Sequence, residues 1–170
     1  MGGRAFVESR RERQSVGSSL SGTGVPPVDR ENSQQIGKKI NRLNDKGKVL
    51  VADDDPAILR LITMILEKEG YEVVGARDGK EAYKALQDNA NITAAVFDVV
   101  MPHIAGPELV RFMKTEKRFM SIPVMMMTAE QDPKLSRDSF AAGAVVFLPK
   151  PFTTAQLQTM LRMLIGKARG

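Results

Sequence analysis

The chain has 170 residues, 42% of them apolar, with no cysteine and a formal net charge of +5. That length suits one ordinary domain with residues to spare, and the lack of cysteine excludes disulfides and thiolate metal centres. The charge is uneven: residues 1–47 carry nine Lys/Arg against five Asp/Glu and residues 48–170 sixteen against fifteen, so nothing in the larger part calls for nucleic acid. The N-terminus has no apolar secretion core and no run is long enough to span a membrane, so a cytoplasmic location is expected.

Residues 1–46 read as a basic Ser/Gly-rich tail. "RRERQSVGSSLSGTGVPPVDRENSQQ" has no apolar period and a Pro-Pro pair, and such a segment cannot bury enough apolar surface to offset its chain entropy. Disorder is the expectation; a basic contact arm or a short helix over "QQIGKKINRL" is the alternative. From residue 47 to 170 the texture changes to a domain. "KVLVA" is a short buried strand. "PAILRLITMILEKEG" sets Ile58, Leu61, Ile62, Ile65 and Leu66 at helical spacing, with Pro56 at its start and Gly70 at its stop. "YEVVGA" is a second strand, and "DGKEAYKALQDN" a helix with Ala82, Ala85 and Leu86 on one face. "ITAAVF" and "PELVRFMKTEK" give the third strand and helix, "IPVMMM" and "PKLSRDSFAAG" the fourth. "AVVFLP" and "TTAQLQTMLRMLIG" close the series, with Leu157, Met160, Leu161, Leu164 and Ile165 turned inward.

Five strictly alternating strand–helix units imply a parallel sheet with helices on both faces, because parallel connections need right-handed crossovers. Five are too few for an eight-fold barrel. The expected fold is therefore an α/β, open, doubly wound five-stranded sheet in the order 2-1-3-4-5, in which ligands bind where strands 1 and 3 diverge.

The polar residues fall at one edge of that frame. Asp53, Asp54 and Asp55 follow strand 1, Asp98 follows strand 3, Thr128 strand 4 and Lys150 strand 5. Each alone is weak evidence; four strand ends together are not. Asp55, directly before Pro56, is placed to cap the first helix. Asp53 and Asp54 have no such partner and face Asp98. Three carboxylates converging without histidine or thiolate call for a hard cation on oxygen ligands, and Mg²⁺ fits. Lys150 adds a positive point charge.

"VLVADDDPAILRLI", "ARDGKEAYKAL", "AAVFDVVMPHIAGPEL", "VMMMTAE" and "VFLPKPFT" resemble, in order and spacing, the blocks of a two-component response-regulator receiver domain, over residues 47–166. The resemblance implies a flavodoxin-like receiver fold with Asp98 as phosphoryl acceptor from a phosphohistidine donor. It implies that Asp53, Asp54, Asp98 and the Val100 backbone carbonyl hold Mg²⁺, and that Thr128 and Lys150 contact the phosphoryl group. It further implies a cis Lys150–Pro151 peptide, and a switch in which Thr128 acts on the aromatic residue Phe147. Because Phe147 lacks a hydroxyl, apolar burial should favour its inward position even without phosphate. The implied partners are a sensor histidine kinase or histidine phosphotransfer protein and a downstream protein target. A homodimer through helix 4, strand 5 and helix 5 is allowed; membrane and direct nucleic-acid contacts are not expected.

The pattern departs from the family at Val100, where a polar side chain is common, which bears on phosphoryl lifetime. It also departs at Ala105, where an Asp is common, so helix 3 must be capped differently. His103 is expected to be exposed and inert, Glu130 to be ordinary, and Arg111, Lys114, Lys117 and Arg118 to be solvated. With four residues after Gly166, no output domain is expected to follow, and the domain is read as a stoichiometric phosphoacceptor and not an enzyme. Two other readings stand beside it: a receiver-shaped module that takes no phosphate, and an aspartyl-phosphate enzyme of the haloacid dehalogenase type. The latter needs its nucleophile after strand 1 and a cap domain for which the chain has no room. A chain shortened to begin at Asn44 should melt within a few degrees of the full chain, as thermal denaturation would show.

Overall fold

The computed structural model describes residues 34–35, 46–129 and 133–168. The chain divides into two units, Met1–Gly37 and Lys38–Gly170; in the first, Gln34 and Gln35 are described, both helical and exposed. The expectations for the tail, for a helix running through residues 36–43 and for Glu130 lie outside the described residues.

Strands β1 (Lys48–Ala52), β2 (Glu72–Ala76), β3 (Ile92–Asp98), β4 (Val124–Thr128) and β5 (Val146–Pro149) alternate with helices. These are α1 (Pro56–Lys68), α2 (Gly79–Asp88), α3 (Gly106–Thr115), α4 (Pro133–Ala142) and α5 (Thr154–Ala168). The sheet runs β2-β1-β3-β4-β5 with every pair parallel, the order the alternating pattern predicts. Side chains alternate across a strand, so the sheet feeds two apolar layers. Leu50, Ala95, Phe97, Val124 and Met126 point to one, closed by Ala82 and Leu86 of α2 and Leu109, Val110 and Met113 of α3. Val49, Val51, Val96, Met125 and Met127 point to the other, closed by Ile62 and Leu66 of α1 and Leu157, Leu161 and Leu164 of α5. Full burial of one Leu, Ile, Phe or Met is worth roughly 1.5–3 kcal/mol, so these layers fix the register that delivers the strand ends.

Local chemistry sets the helix ends. Asp55 Oδ1 accepts the Ala57 N–H at 2.8 Å, and Pro56 follows at a position whose N–H would lack a helical partner. Asp78 Oδ1 accepts the Glu81 N–H at 2.8 Å and so caps α2. The cap residue of α3 is Ala105, which has no side-chain acceptor; instead Glu108 Oε2 reaches back to the Ala105 N–H at 3.2 Å. Gly70 and Gly143, after α1 and α4, take left-handed φ of +85° and +114°, the conformation glycine adopts without a Cβ penalty.

Of the basic residues at the end of α3, Arg111, Lys117 and Arg118 are exposed as expected, and Lys114 departs from the solvated face. Lys114 is half-buried, and its Nζ donates to the carbonyls of Met120 at 2.9 Å and Ile122 at 3.1 Å. Burial pushes its pKa down. Arg118 lies over the Phe119 ring, 5.0 Å from its centroid. A long stem covering apolar surface with its head on backbone carbonyls explains Lys114, and the cation over a ring face explains Arg118. Lys114→Met, which keeps the stem and removes the donor, should lower unfolding stability by about 1–3 kcal/mol in urea titrations.

Candidate functional site

The ends of β1, β3, β4 and β5 meet at one edge of the sheet. Asp53 is the first residue after β1 and fully buried; its N–H continues the ladder by donating to the Ala76 carbonyl at 3.2 Å. Its two carboxylate oxygens divide their work. Oδ1 accepts the Asp55 N–H at 2.9 Å and Oδ2 accepts Lys150 Nζ at 2.7 Å. The expectation that Asp53 has no local partner is thereby corrected: the turn into α1 folds its own N–H back onto the carboxylate. Asp54, one residue on, alternates outward and is exposed. Asp98 is the last residue of β3 and 6% exposed. Carboxylate oxygens of Asp53, Asp54 and Asp98 all lie within 4.8 Å of one another.

Lys150 reaches this group from the far side. Its N–H donates to the Thr128 carbonyl at 2.7 Å, and its Nζ lies 2.7 Å from Asp53 Oδ2 and 3.3 Å from Asp98 Oδ2. The Lys150–Pro151 peptide is cis. Thr128 ends β4 and is buried. The strand positions follow from the register, Asp98 pairing with Met127 and Thr128 with Pro149. Val100 is exposed, with its chain at the surface beside Asp98. Phe147 is half-buried, packed on the α2–α3 side layer, with its ring 6.1 Å from that of Phe140. The fully buried ring that transfer energy alone would favour is therefore not the one seen: the Phe140 ring offers Phe147 an apolar partner at the surface.

Burial raises the Asp98 carboxyl to about 6, against the lowering field of Lys150 and with further upward pressure from Asp53 and Asp54. Burial would lower the Lys150 ammonium, but its hydrogen bond to Asp53 and the charges of Asp98 and Asp53 outweigh that and raise it. Three carboxylates against one ammonium leave the ionised group two charges negative. A divalent cation matches that deficit, and an all-oxygen donor set with one member open to water suits Mg²⁺ better than a softer metal.

His103 is exposed as expected but not isolated. It has φ +70°, its Nε2 lies 3.8 Å from Asp78 Oδ2, and the Ile104 N–H donates to the Pro102 carbonyl across it at 2.9 Å. This is a γ-turn with a left-handed centre, a rare and strained form. Nothing in the local sequence announces it, because histidine has no general preference for that conformation comparable to glycine's.

A model of the response regulator receiver domain matches residues 49–162. The chain belongs to that family. Chemotaxis protein CheY1 of Helicobacter pylori is 34% identical over 120 residues, which are 70% of this chain and 97% of that protein. Transcriptional regulatory protein SrrA of Staphylococcus aureus is 27% identical over 72% of this chain but only 49% of its own length. Among solved structures, the chemotaxis response regulator CheY4 of Vibrio cholerae has a TM-score of 0.64 at 33% identity, covering 69% of this chain and 97% of that one. A CheY-like receiver domain protein from Methanospirillum hungatei has a TM-score of 0.66 at 28% identity, covering 72% and 95%. Receivers are signalling modules of two-component systems that bind Mg²⁺ at an acidic pocket and act with histidine kinases and downstream targets. No helix among the described residues of this receiver is long and apolar enough to cross a membrane.

The raised carboxyl has a measurable consequence in metal-free protein. A carboxyl whose folded pKa exceeds its unfolded value favours folding while protonated, and that contribution is lost as pH rises through the folded value. Above about pH 6 the ionised Asp98 therefore costs stability, by at most about 3 kcal/mol for a two-unit shift. In chelator, Asp98→Asn should be more stable than the wild type at pH 8, with the difference shrinking below pH 6. Urea titrations across that range measure it.

Proposed function

We propose that this receiver accepts a phosphoryl group on Asp98 from a phosphohistidine of a sensor kinase or phosphotransfer protein and thereby switches a protein-binding surface. The observation that carries the reading is the convergence of Asp53, Asp54 and Asp98 with Lys150 bridging two of them. An Asp98 oxygen forms a bond to phosphorus while the phosphorus–nitrogen bond breaks, and the imidazole nitrogen keeps that electron pair. The product is an acyl phosphate. An anionic nucleophile and an anionic phosphoryl group repel, so the transfer depends on charge held in place beforehand. Lys150 Nζ lies 3.3 Å from Asp98 Oδ2, within reach of a phosphoryl oxygen attached there. The Thr128 hydroxyl donates to another. Asp53, Asp54, Asp98 and the Val100 carbonyl would hold Mg²⁺, which supplies positive charge between nucleophile and phosphoryl group when bound.

Asp98 must be ionised to attack, and its value of about 6 leaves it ionised at neutral pH. Val100 offers no hydroxyl, amide or carboxylate to orient a hydrolytic water, so the acyl phosphate should be long-lived. The switch runs from Thr128 to Phe147 and changes the α4–β5–α5 surface, the face for a downstream protein or a second receiver. Location in the cytoplasm, where such kinases present their phosphohistidine, completes the reading.

Acetyl phosphate with Mg²⁺ should add one phosphoryl group to the wild type and none to Asp98→Asn, by intact-protein mass spectrometry. Modification of that variant at another residue would overturn the assignment. Asp54→Ala should lose Mg²⁺-dependent phosphorylation yet be at least as stable without metal, because a like charge is removed. Beryllofluoride should shift the NMR resonances of residues 133–165 in the wild type and leave them largely unmoved in Thr128→Ala.

A further inference from the structure

We infer that Gly79, at the start of α2 and outside the acidic site, is a positioning residue for phosphoryl acceptance at Asp98. It holds the β3–α3 loop, residues 99–105, against the rest of the site. This inference rests on the phosphoacceptor reading above.

The loop leaves Asp98 and carries the Val100 carbonyl. Its near end is fixed by the Val99 N–H on the Met127 carbonyl at 2.7 Å, and its far end by the Gly106 N–H on the Val99 carbonyl at 3.1 Å. Between those ends Val100 is exposed and His103 sits in the strained γ-turn. Met101 is buried in the apolar layer, and the backbone after it is held by α2. The Gly79 N–H, one of the first donors of the helix and so without a helical partner, donates to the Pro102 carbonyl at 3.2 Å. His103 Nε2 lies 3.8 Å from the α2 cap Asp78.

The approach is so close that only glycine permits it. A Cβ at position 79 would stand 1.9 Å from the Ile104 carbonyl oxygen and 2.6 Å from its Cβ. The obstacle is backbone and cannot rotate away, so α2 and the loop would have to part by more than about 1 Å to reach ordinary contact. The φ of Gly79 is not in the left-handed region; close approach, and not conformation, is the reason for glycine here. The same turn touches the other half of the site, because the Ala76 carbonyl accepts the Asp53 N–H at 3.2 Å. The β2–α2 turn thus bridges the loop that carries Asp53 and the loop that follows Asp98.

Gly79→Ala is the test, with Gly75→Ala as control, since a Cβ there meets only Leu59 at 3.7 Å. Misplacing reacting groups by about 1 Å costs on the order of a hundredfold in rate. Gly79→Ala should therefore take phosphate from acetyl phosphate about 10–100-fold more slowly and need about tenfold more Mg²⁺. In chelator, the amides of residues 100–104 should exchange faster than in the wild type, while Gly75→Ala matches the wild type throughout. A folded Gly79→Ala with wild-type Mg²⁺ dependence and wild-type exchange would overturn the inference while leaving the phosphoacceptor reading intact. A wild type that takes no phosphate would overturn that reading and this inference with it. Should Gly79→Ala fail to fold, the wild type decides. Linkage is reciprocal, so Mg²⁺ must slow exchange of the Gly79 amide if Gly79 steadies the loop, and exchange unchanged by saturating Mg²⁺ would overturn the inference.

Discussion

The Lys150 ammonium held between Asp53 and Asp98 is the contact on which the acidic edge depends. Two carboxylates 4 Å apart repel by about 4 kcal/mol at an effective dielectric near 20, and three converge here. Lys150 offsets part of that with contacts of 2.7 Å and 3.3 Å, and the Asp55 N–H offsets more at the other Asp53 oxygen. The remainder stays. Asp98 answers by holding its proton to about pH 6, and Asp54 by remaining in water. A site satisfied by its own lysine alone would have no affinity to spare for a cation or a phosphoryl group. This one stops short of neutrality by two charges.

Keeping such a group together requires strands that do not yield. β1, β3 and β4 are buried on both faces, so their residues before the site, Lys48 and Thr93 apart, are committed to one apolar layer or the other. A register slip of one residue would exchange the layers and move Asp53 and Asp98 off the edge. The apolar burial in the strands thus holds the carboxylates against their repulsion, and the charged edge is affordable only because the centre of the sheet is not polar.

Much of this was legible in the sequence. The continuous apolar runs "KVLVA" and "IPVMMM", the cap Asp55 and the helix stop Gly70 are local signals, and strand order follows from chain crossovers. The acidic edge was legible because strand ends are points that topology brings together. What was not legible is which backbone group each polar or small residue meets. The Asp55 N–H on Asp53 and the seat of Lys114 on two carbonyls depend on how the next turn folds back, and the reach of Lys150 to Asp53 and the approach of Gly79 to Ile104 on where distant loops stop. A glycine after an aspartate at the start of a helix reads as a turn whether or not a carbonyl lies against it.

The two layers also bear on where a change at Asp98 can be felt. Val99 and Met101 of the following loop belong to the layer closed by α2 and α3, and none of its side chains belongs to the α1–α5 layer. Leu135 of α4 and Phe147 of β5 pack on that same layer. Met126 lies between them: it pairs with Phe97 on one side and Phe147 on the other, and a Cβ on Gly106 would meet its Cε at 2.5 Å. A close-packed layer transmits displacement and absorbs little of it. The loop is therefore continuous, through Met126, with Phe147, whose half-buried ring lies 6.1 Å from that of Phe140. α5 closes the opposite layer, where it packs on β3, β4 and β5 alike. The loop after Asp98 thus shares one packed layer with α2, α3, Leu135 of α4 and Phe147 of β5, and it has no side chain in the layer that α1 and α5 close.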